Sequence, residues 1–324
     1  MPESFAHICS RADASSEYER LKEIGVLNTE LKPRAHGKKI AIPITKGEMK
    51  LEFDEVQRTN PHSLLSKLVK NPPKKWEKLG KMVIFPNGTN TDNWPMEEIA
   101  SALNATKIGI QNEVRPGVTR KSQLELVHGE DSWVIHRENF VDYEFDAAEI
   151  MFSSGNVTER KRMGDLDCKN EVIVDAYCGI GYYTLQFLVR GHAKHVHACE
   201  INPKSVECLQ KGLERNGVSD RCSIYIGDNK ESMQELRGIA DRVILGLIPS
   251  SLNSWGNAIR CLKPEGGHIH VHMNVHEDEF DEWTEKTVTW FSTVSGKNVE
   301  AVHFEDVKSY CPHIQHVVLD LKIS

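Results

Sequence analysis

The pattern of apolar and polar positions divides the chain into three parts. Residues 1–80 are polar and basic, with few sustained apolar runs. Residues 81–150 contain short apolar runs separated by turn-forming residues, which indicates a small α+β domain. From residue 151 to residue 324, strand-like and helix-like stretches alternate, as in a mostly parallel sheet covered by helices. We therefore expect a basic N-terminal region, a small α+β domain and an α/β domain, in that order.

In the first two parts the periodicity predicts one helix and three strands. The helix is amphipathic, with apolar residues at positions 64, 65, 68 and 69. The strands cover residues 82–85, 124–127 and 133–136. Plausible turns punctuate this stretch at Pro86-Asn87-Gly88, Arg115-Pro116-Gly117 and His128-Gly129-Glu130-Asp131.

In the third part the pattern predicts a βαβ series that ends in a hairpin. A buried strand over 172–175 is followed by a helix over 182–189 and a second strand over 195–199, which Glu200 ends. Asn202-Pro203 opens a helix that runs to about Arg215, with Asn216-Gly217 as its stop. Further strands are predicted over 223–226, 241–247, 267–275, 299–307 and 316–323. The last two imply an antiparallel edge on a mostly parallel sheet.

The composition is that of an ordinary soluble protein, with 39% hydrophobic and 27% charged residues. It has no run of about eighteen apolar residues, so we expect no membrane span. The first residues lack a basic segment followed by an apolar one, so we expect no secretion signal. The eight cysteines are scattered without a C-x-x-C pair, which favours reduced thiols in a cytoplasmic protein over disulfides or zinc ligands.

The charge is distributed unevenly along the chain. The formal net charge is −7, but residues 32–81 carry thirteen Lys or Arg against five acidic residues. The densest part contains Trp76 and the lysines Lys67, Lys70, Lys74, Lys75, Lys78 and Lys81. Such cations can neutralise phosphates while an aromatic ring stacks on a base. A solvated helix face followed by a basic linker is the commoner origin of a short basic run, so charge alone leaves both interpretations open.

A glycine-containing turn follows the first strand of the α/β part, in the run Asp175 to Gly181. Gly179 and Gly181 allow the backbone to turn sharply and to approach a ligand closely. Thr184 stands where the third glycine of a G-x-G-x-x-G pattern would be. By itself the turn is weak evidence, because tight structural turns use the same residues.

Polar residues also follow the next two predicted strands. Glu200 lies about twenty residues beyond the glycines, where an acidic residue hydrogen-bonds a ribose diol. Asp228 and Asn229 follow the third strand, where a carboxylate and an amide can read the edge of an adenine. Because these strand ends would meet in one crevice, we predict a site for an adenosine-containing ligand.

That ligand is a dinucleotide or S-adenosylmethionine. A dinucleotide brings a pyrophosphate and favours the full glycine pattern beside a helix N-terminus. S-adenosylmethionine has no phosphate and carries a positive charge on sulfur, and the acidic Asp175 beside the turn suits its methionyl ammonium. These differences favour S-adenosylmethionine, bound by a class I methyltransferase-type, Rossmann-like domain.

Several runs resemble the wybutosine-synthesising aminocarboxypropyltransferases. This tRNA-modifying family shares its class I methyltransferase scaffold with the tRNA guanosine N1-methyltransferases. The resemblance covers about residues 110–324. It rests on the runs MFSSGNVTER (151–160), DAYCGIG (175–181), HACEINP (197–203), NGVSDRC (216–222), GDN (227–229), ADRV (240–243), LGLIPSS (245–251) and VKSYCPH (307–313).

The resemblance implies roles for five residues. Ser153 and Arg160 would contact the methionyl end of S-adenosylmethionine, and a cation at Arg160 suits the cofactor carboxylate. Glu200 would bind the ribose, and Asp228 and Asn229 the adenine, in agreement with the spacing. Some family members carry Lys in place of Arg160. The basic run at this position could also be a solvated turn or a contact for a tRNA phosphate.

The segment after the fourth strand bears on which group is transferred. Related methyltransferases carry an Asn-Pro-Pro-type motif there, whereas this chain has Leu247-Ile248-Pro249-Ser250 and lacks the amide. The aminocarboxypropyltransferases share this pattern. The resemblance therefore implies transfer of the 3-amino-3-carboxypropyl group to the tricyclic wyosine precursor in the anticodon arm of tRNA(Phe), with methylthioadenosine as by-product. A tRNA guanosine N1-methyltransferase and a non-catalytic RNA-binding protein are the alternatives, and the sequence names no catalytic base.

Two further groups have more than one interpretation. His268, His270 and His272 alternate along one predicted strand and therefore point to one side. An extended row with no evident fourth ligand favours a structural role, so we predict no metal. The run Lys308-Ser309-Tyr310 either lies near the site and touches RNA or substrate, or forms an ordinary hairpin turn. In the favoured interpretation, the basic stretch and residues 81–150 orient the anticodon arm.

Overall fold

A computed structural model describes residues 1–11, 13–55, 60–112 and 122–324. Within these ranges the chain forms two compact units, Met1–Leu64 and Leu65–Ser324. The turn expected at Arg115-Pro116-Gly117 lies outside the described residues. No helix in the described ranges is long and apolar enough to cross a membrane.

The first unit is built on an antiparallel sheet. Its elements are β1 (Glu3–Cys9), α1 (Ala14–Glu23), β2 (Arg34–His36), β3 (Lys39–Ile44) and β4 (Lys50–Glu52), and the strand order is β2-β3-β1-β4. Leu21 of α1 shares a buried cluster with Ile42 and Ile44 of β3. The sequence pattern predicts none of these strands, because β2 and β4 have only three residues each, β3 is interrupted by Pro43 and β1 has no sustained apolar run. Helix α2 (Pro61–Leu68) follows and confirms the helix predicted around residues 64–69.

The second unit begins with a small mixed sheet followed by a hairpin. The sheet consists of β5 (Glu77–Leu79), β6 (Met82–Phe85), β7 (Lys107–Gln111) and β8 (Leu124–His128), in that order, with α3 (Met96–Ala102) between β6 and β7. β6 and β7 are parallel, and the other pairs are antiparallel. The hairpin consists of β9 (Trp133–Glu138) and β10 (Val141–Asp146). The strands predicted over 82–85, 124–127 and 133–136 are confirmed, and the sheet begins at Glu77 rather than at residue 81.

The rest of the second unit is an α/β sheet. Its strands are β11 (Val172–Asp175), β12 (His195–Glu200), β13 (Cys222–Ile226), β14 (Arg242–Leu245), β15 (Gly267–His276), β16 (Val299–Cys311) and β17 (Ile314–Ile323). Its helices are α4 (Val157–Gly164), α5 (Thr184–Val189), α6 (Pro203–Arg215), α7 (Asn229–Ser232), α8 (Trp255–Cys261) and α9 (Phe280–Ser295). The strand order is β13-β12-β11-β14-β15-β17-β16. The first five strands are parallel and β17 is antiparallel to both of its neighbours, which confirms the predicted antiparallel edge.

Helix α6 shows why the sequence could delimit this part well. Asn202 caps the helix, because its side-chain oxygen accepts a hydrogen bond from the Lys204 N–H at 3.0 Å. Pro203 occupies the first turn, where its missing N–H costs nothing. Gly217 lies just past the end of the helix with φ +66°, a conformation that favours glycine.

The hairpin β9–β10 is held against the α/β sheet. The side chain of Asn216, just after α6, hydrogen-bonds the backbone of Asp142 twice, donating to its O at 2.7 Å and accepting from its N at 3.0 Å. Phe145 of the hairpin stacks on Phe152 with ring centroids 5.3 Å apart. The hairpin is therefore part of the same packed core, and its polar side chains have defined positions beside the sheet.

Candidate cofactor-binding site

A pocket of about 800 Å³ lies at the carboxyl ends of β11, β12, β13 and β14. These strands are neighbours in the sheet, and β11 and β14 are the pair at which the strand order reverses. Ligands of open α/β sheets bind at such a reversal, because the flanking loops leave a crevice there. The segment before α4 and the hairpin between β16 and β17 supply the remaining walls.

The structure brings together most of the predicted site residues. Those that line the pocket are Ser153, Arg160, Gly179, Glu200, Asp228 and Asn229. Asp175 is not among the lining residues. Sequence spacing thus finds three loops that converge in space, and the contacts of these residues with a cofactor stay predictions.

The glycine turn has the backbone conformation that its sequence predicts. Gly179 has φ +56° and Gly181 has φ +90°, both in the region that favours glycine. A Cβ atom at position 181 would lie 2.7 Å from the Leu209 Cδ1, so the helix α6 side of the turn has no room for a side chain. The N–H of Gly179 donates to the Glu200 Oε2 at 2.9 Å, which joins the turn to the end of β12.

Glu200 lies in the pocket wall at the end of β12, with acceptor capacity left for a ligand. Its carboxylate accepts from the N–H groups of Gly179 and, at 2.7 Å, Asn202, and a carboxylate has lone pairs for further donors. Burial raises its pKa, and the backbone N–H groups oppose that rise. The next residue, Ile201, is 49% exposed in the pocket wall and offers an apolar face for a planar base.

Asp228 and Asn229 differ in how much of each side chain is available to a ligand. Asp228 is exposed, and one of its carboxylate oxygens accepts from the Lys230 N–H at 2.9 Å. The amide of Asn229 donates to the Ala176 O at 2.9 Å and accepts from the Ser254 Oγ at 3.3 Å. Asn229 therefore ties together the segments after β11 and before α8, while Asp228 presents an acceptor to the pocket.

Asp175 is enclosed by protein. Its side chain is fully buried, and its carboxylate accepts from the Thr184 Oγ1 at 2.8 Å and the Tyr177 N–H at 3.3 Å. Burial raises its pKa to about 7. A direct contact with a cofactor ammonium is therefore not prepared in this structure, and the geometry assigns Asp175 to holding the glycine turn against the start of α5.

Arg160 lines the pocket with a paired guanidinium. Its Nε and Nη2 donate to the two carboxylate oxygens of Glu138 in β9 at 2.6 and 2.7 Å, and its Nη1 donates to the Ser153 O at 2.9 Å. Burial would raise the pKa of Glu138, but the hydrogen bonds from Arg160 outweigh it and the net pKa is lowered. A guanidinium has five N–H groups, so Arg160 keeps donors for a carboxylate.

Lys308, on β16, brings a second cation to the same wall. Its Nζ donates to the Ser153 Oγ at 2.8 Å. Lys308, Ser309 and Tyr310 all line the pocket, which settles their position in favour of the site; contact with RNA or substrate stays a prediction. Ser153 is thus held between two cations, at the end of the pocket where a methionyl carboxylate is expected.

The three histidines of β15 have different surroundings. His270 lies between Arg242 Nη1 at 2.7 Å and the Asp320 carboxylate at 2.6 Å, inside a buried ion-pair network. His272 lines the pocket, and its Nδ1 lies 3.0 Å from the Nε2 of His316 on β17. His268 is outside the pocket wall. No group of three possible metal ligands is found among the described residues.

The basic stretch also divides in two. Lys78 donates to the Leu103 O and Asn104 O, and Lys81 to the Asn104 side chain, so these lysines brace their own sheet. Trp76 is half-buried with its ring against Phe85, which ties it to the core of the small sheet. All six lysines are exposed, and Lys67, Lys70, Lys74 and Lys75 are those that take no part in this bracing.

Sequence reasoning missed Glu138, Tyr177, Ile201 and His316. Ile201 had a local signal, an apolar residue directly after the acidic strand end. Tyr177, whose OH lies 2.6 Å from the Ser254 Oγ, stands inside the glycine turn itself. Glu138 and His316 had no local sequence signal, because their partners Arg160 and His272 are 22 and 44 residues away in the chain.

Comparison with known proteins identifies the family of this site. The TRM5/TYW2 methyltransferase domain matches residues 134–299, which include the glycine turn, Glu200 and Asp228. This chain belongs to the TRM5/TYW2 methyltransferase family. The predicted class I methyltransferase-type fold is thereby confirmed.

Several similar proteins are named for wybutosine synthesis. A tRNA wybutosine-synthesizing protein 2/3/4 of Arabidopsis thaliana is 44% identical over 82% of this chain and 27% of that protein. A tRNA wybutosine-synthesizing protein 2 homolog of Bos taurus is 36% identical, covering 79% of this chain and 72% of that protein. The crystal structure of M. jannaschii TYW2 in complex with AdoMet has a TM-score of 0.63 and 27% identity, covering 77% of this chain and 99% of that one. The chain thus spans about a quarter of the length of the plant relative it matches and most of the other two.

Proposed function

We propose that this protein transfers the 3-amino-3-carboxypropyl group of S-adenosylmethionine to the tricyclic wyosine precursor base beside the anticodon of tRNA(Phe), in wybutosine biosynthesis. The observation that carries the proposal is the pocket wall after β14, where Leu247 and Ile248 stand in place of an amide. The names of the relatives support the same reaction.

The pocket residues fit S-adenosylmethionine. Glu200 would accept the ribose hydroxyls and Asp228 the adenine amino group, with Ile201 against the ring. Ser153 and Arg160 would hold the methionyl carboxylate, with Lys308 as a second cation. Gly179 has φ +56°, and a Cβ atom there would lie 2.8 Å from the Tyr182 ring, so the turn in the pocket wall requires glycine at this position. When bound, S-adenosylmethionine supplies a sulfonium whose attached carbons are activated toward nucleophiles.

Positioning decides which of those carbons reacts. A nucleophile must lie about 3–3.5 Å from the reacting carbon and in line with the bond that breaks. Holding the methionyl chain firmly at Ser153 and Arg160 would present its γ-carbon, and the apolar surface of Leu247 and Ile248 offers no hydrogen bond that would hold a guanine nitrogen near the methyl group. This wall is the reason we favour aminocarboxypropyl transfer over N1-methylation of guanosine.

A non-catalytic RNA-binding protein is the alternative from another class. It has no use for a carboxylate that the glycine turn and Asn202 hold ready at the ribose position, or for two cations that converge on Ser153. These features argue for a site that binds the whole cofactor.

The remaining parts of the proposal concern partner and location. The tRNA would be held by its anticodon arm, and the exposed Lys67 of α2 and Lys70, Lys74 and Lys75 after it are suited to its phosphates. The target base of an anticodon loop can be unstacked and inserted into the pocket. A cytoplasmic location agrees with the cysteines, all eight of which are free thiols.

The by-product tests the reaction. Purified protein is incubated with labelled S-adenosylmethionine and tRNA(Phe) carrying the tricyclic precursor, and with unmodified tRNA(Phe) as control. We expect methylthioadenosine with the precursor tRNA alone. Release of S-adenosylhomocysteine would overturn the proposal in favour of methyl transfer. Tight tRNA binding with no calorimetric signal for S-adenosylmethionine would favour the RNA-binding alternative.

A further inference from the structure

A pair of histidines forms part of the pocket wall. His272 lies on β15 and His316 on the neighbouring strand β17, and the Nδ1 of the first is 3.0 Å from the Nε2 of the second. Each side chain is only 1% exposed, and both residues line the pocket. Lys308, the cross-strand neighbour of His316 on β16, lines the same pocket.

The hydrogen bond between the rings determines what the other two nitrogens present. A neutral imidazole has one N–H and one lone pair, so one ring donates to the other. The outer nitrogens, His272 Nε2 and His316 Nδ1, then present one lone pair and one N–H between them. Neither outer nitrogen has a hydrogen-bond partner in the described part of the chain. A buried polar atom without a hydrogen-bond partner costs about 1–3 kcal/mol. Two such nitrogen atoms in neighbouring histidines therefore need a structural or functional reason.

The surroundings keep the pair neutral. Burial lowers the pKa of His272 well below its usual range and lowers that of His316 to about 4. Lys308, the cross-strand neighbour of His316, adds to the lowering on that side. On the other side the ring of Tyr183 packs against His272 with centroids 5.2 Å apart.

The nearby acidic group is already used. Asp320 on β17 accepts from Arg162 of α4 at 2.6 Å and contacts the His270 ring at 2.6 Å. Arg160, on the same helix, is paired with Glu138. The positive charges of Arg162 and Lys308 add to the effect of burial, and the one carboxylate that opposes it, Asp320, is already paired, so the pair has a lone pair ready at neutral pH.

We propose that the His272–His316 pair accepts the proton that the substrate base loses during group transfer. This inference rests on the proposed function. The ring carbon of the base attacks the γ-carbon of the methionyl chain, a C–C bond forms, and the C–S bond breaks with its electron pair moving to sulfur. The ring carbon that formed the new bond must then lose its proton to restore the unsaturated ring. The outer lone pair of the histidines takes that proton, and the second ring shares the charge through the hydrogen bond between them.

His270 cannot serve in the same way. Both of its ring nitrogens have partners, in Arg242 and Asp320, and it is not part of the pocket wall. Because side chains alternate along β15, its three histidines lie on one side of the strand, and His272 is the one of the three that lines the pocket. His268, which faces the same side beyond the pocket, provides a control position.

The test measures the rate of a single turnover. His272→Asn and His316→Asn are compared with His268→Asn, using excess protein, S-adenosylmethionine and precursor tRNA. General bases contribute about 10²–10⁴-fold, so we expect each pair variant to lose at least about 100-fold in rate while the control stays within about threefold. Affinities for S-adenosylmethionine and tRNA, measured separately, are expected to stay within about threefold in all three variants.

Chemical rescue separates proton transfer from packing. In His272→Ala, added imidazole is expected to restore at least a tenth of the wild-type rate, while pyrazole, which has the same shape and is a far weaker base, restores none. A pair that merely fills space would be rescued by both molecules or by neither, and that result would overturn the inference. Variants that keep the wild-type rate would overturn it as well.

Two further results keep this inference distinct from the proposed function. In wild-type protein with ¹⁵N-labelled histidine and no cofactor, the signals of His272 and His316, each assigned by its loss in the corresponding folded variant, are expected to report neutral rings from pH 6 to 8; a charged ring in the pair at pH 7 would overturn the inference. If wild-type protein releases methylthioadenosine and the variants do so equally fast, only the inference falls. If wild-type protein releases S-adenosylhomocysteine, both proposals fall.

Discussion

Glu138 and Arg160 form a two-point salt bridge in which Nε and Nη2 of the guanidinium lie 2.6 and 2.7 Å from the two carboxylate oxygens. The Arg160 side chain is 1% exposed and the Glu138 side chain 10%. Glu138 lies on the hairpin β9–β10, whereas Arg160 lies on α4 at the pocket. The salt bridge therefore connects the small hairpin to the residues expected to hold the methionyl end of the cofactor.

Removing Glu138 should destabilise the protein strongly. Glu138→Ala would leave the Arg160 charge buried without its partner, which typically costs 3–5 kcal/mol. We expect a loss of about that size in the free energy of unfolding, measured by urea denaturation without ligand. If the methionyl carboxylate reaches Arg160, S-adenosylmethionine should raise the melting temperature of the variant more than that of the wild type.

Glu144 on the same hairpin provides a matched control. It pairs with Arg215 at 2.6 Å, but both side chains are far more exposed. Exposed pairs contribute about 0–1 kcal/mol, so Glu144→Ala should cost less than about 1 kcal/mol. Equal losses in the two variants would contradict the account of Arg160 as a buried charge that depends on Glu138.

Glu200→Gln should weaken cofactor binding without unfolding the protein. An amide NH₂ would face the N–H group of Gly179 or Asn202 and would replace one acceptor for the ribose. Hydrogen bonds to charged groups contribute about 1.5–3 kcal/mol, so we expect the Kd for S-adenosylmethionine to rise roughly 10- to 100-fold. Isothermal calorimetry measures this directly. The surface variant Glu207→Gln, one turn into α6, should leave the Kd unchanged, and an equal effect in both would exclude the assigned ribose contact.

The exposed lysines should contribute to tRNA affinity through their charge. Replacing Lys67, Lys70, Lys74 and Lys75 by Gln removes cations that stand free of the sheet, whereas Lys78 and Lys81 are left in place because they brace it. Each lost phosphate contact reduces the slope of log K against log salt by roughly 0.7, so the slope should flatten by up to about 3 units. Binding measured at several salt concentrations reports the slope. Affinity for S-adenosylmethionine should not change; a parallel loss of both affinities would point to misfolding instead.

Asp175 should make stability fall as the pH rises. Its pKa is raised to about 7 in the folded protein by burial, against about 4 in an unfolded chain. The contribution of the protonated Asp175 carboxyl group to the free energy of unfolding is therefore fully present below pH 4 and is lost as the pH rises through 7. Asp175→Asn removes this dependence, so the free energy of unfolding of the variant relative to wild type should rise by about 2–4 kcal/mol from pH 4 to pH 8. Asp278→Asn, at an 86% exposed position, should show no such trend. A constant difference for Asp175→Asn would show that the carboxyl group is ionised throughout.

Much of the α/β part could be predicted from sequence because its signals are local. The apolar run of β11, the Asn202-Pro203 start of α6 and the glycines at 179 and 181 each have meaning within a few residues. Because ligands bind at the carboxyl ends of parallel strands, the sequence alone then predicts that Glu200 and Asp228 lie in one crevice. The first unit had no such signals, since its strands are short and mixed with charged residues, and its sheet was not predicted.

The sequence by itself determined the fold of the second half and six of the residues that line its pocket. Only the tertiary structure decided the surroundings of the predicted side chains. It buried Asp175 away from the pocket, paired the Arg160 guanidinium with the Glu138 carboxylate, and placed Lys308 within hydrogen-bonding distance of Ser153. It also separated the roles of the histidines on β15, because His270 lies in a buried ion-pair network whereas His272 lines the pocket beside His316. The physical reason is that hydrogen-bond partners and burial depend on side chains 22 to 155 positions apart, and no local periodicity encodes which of them meet.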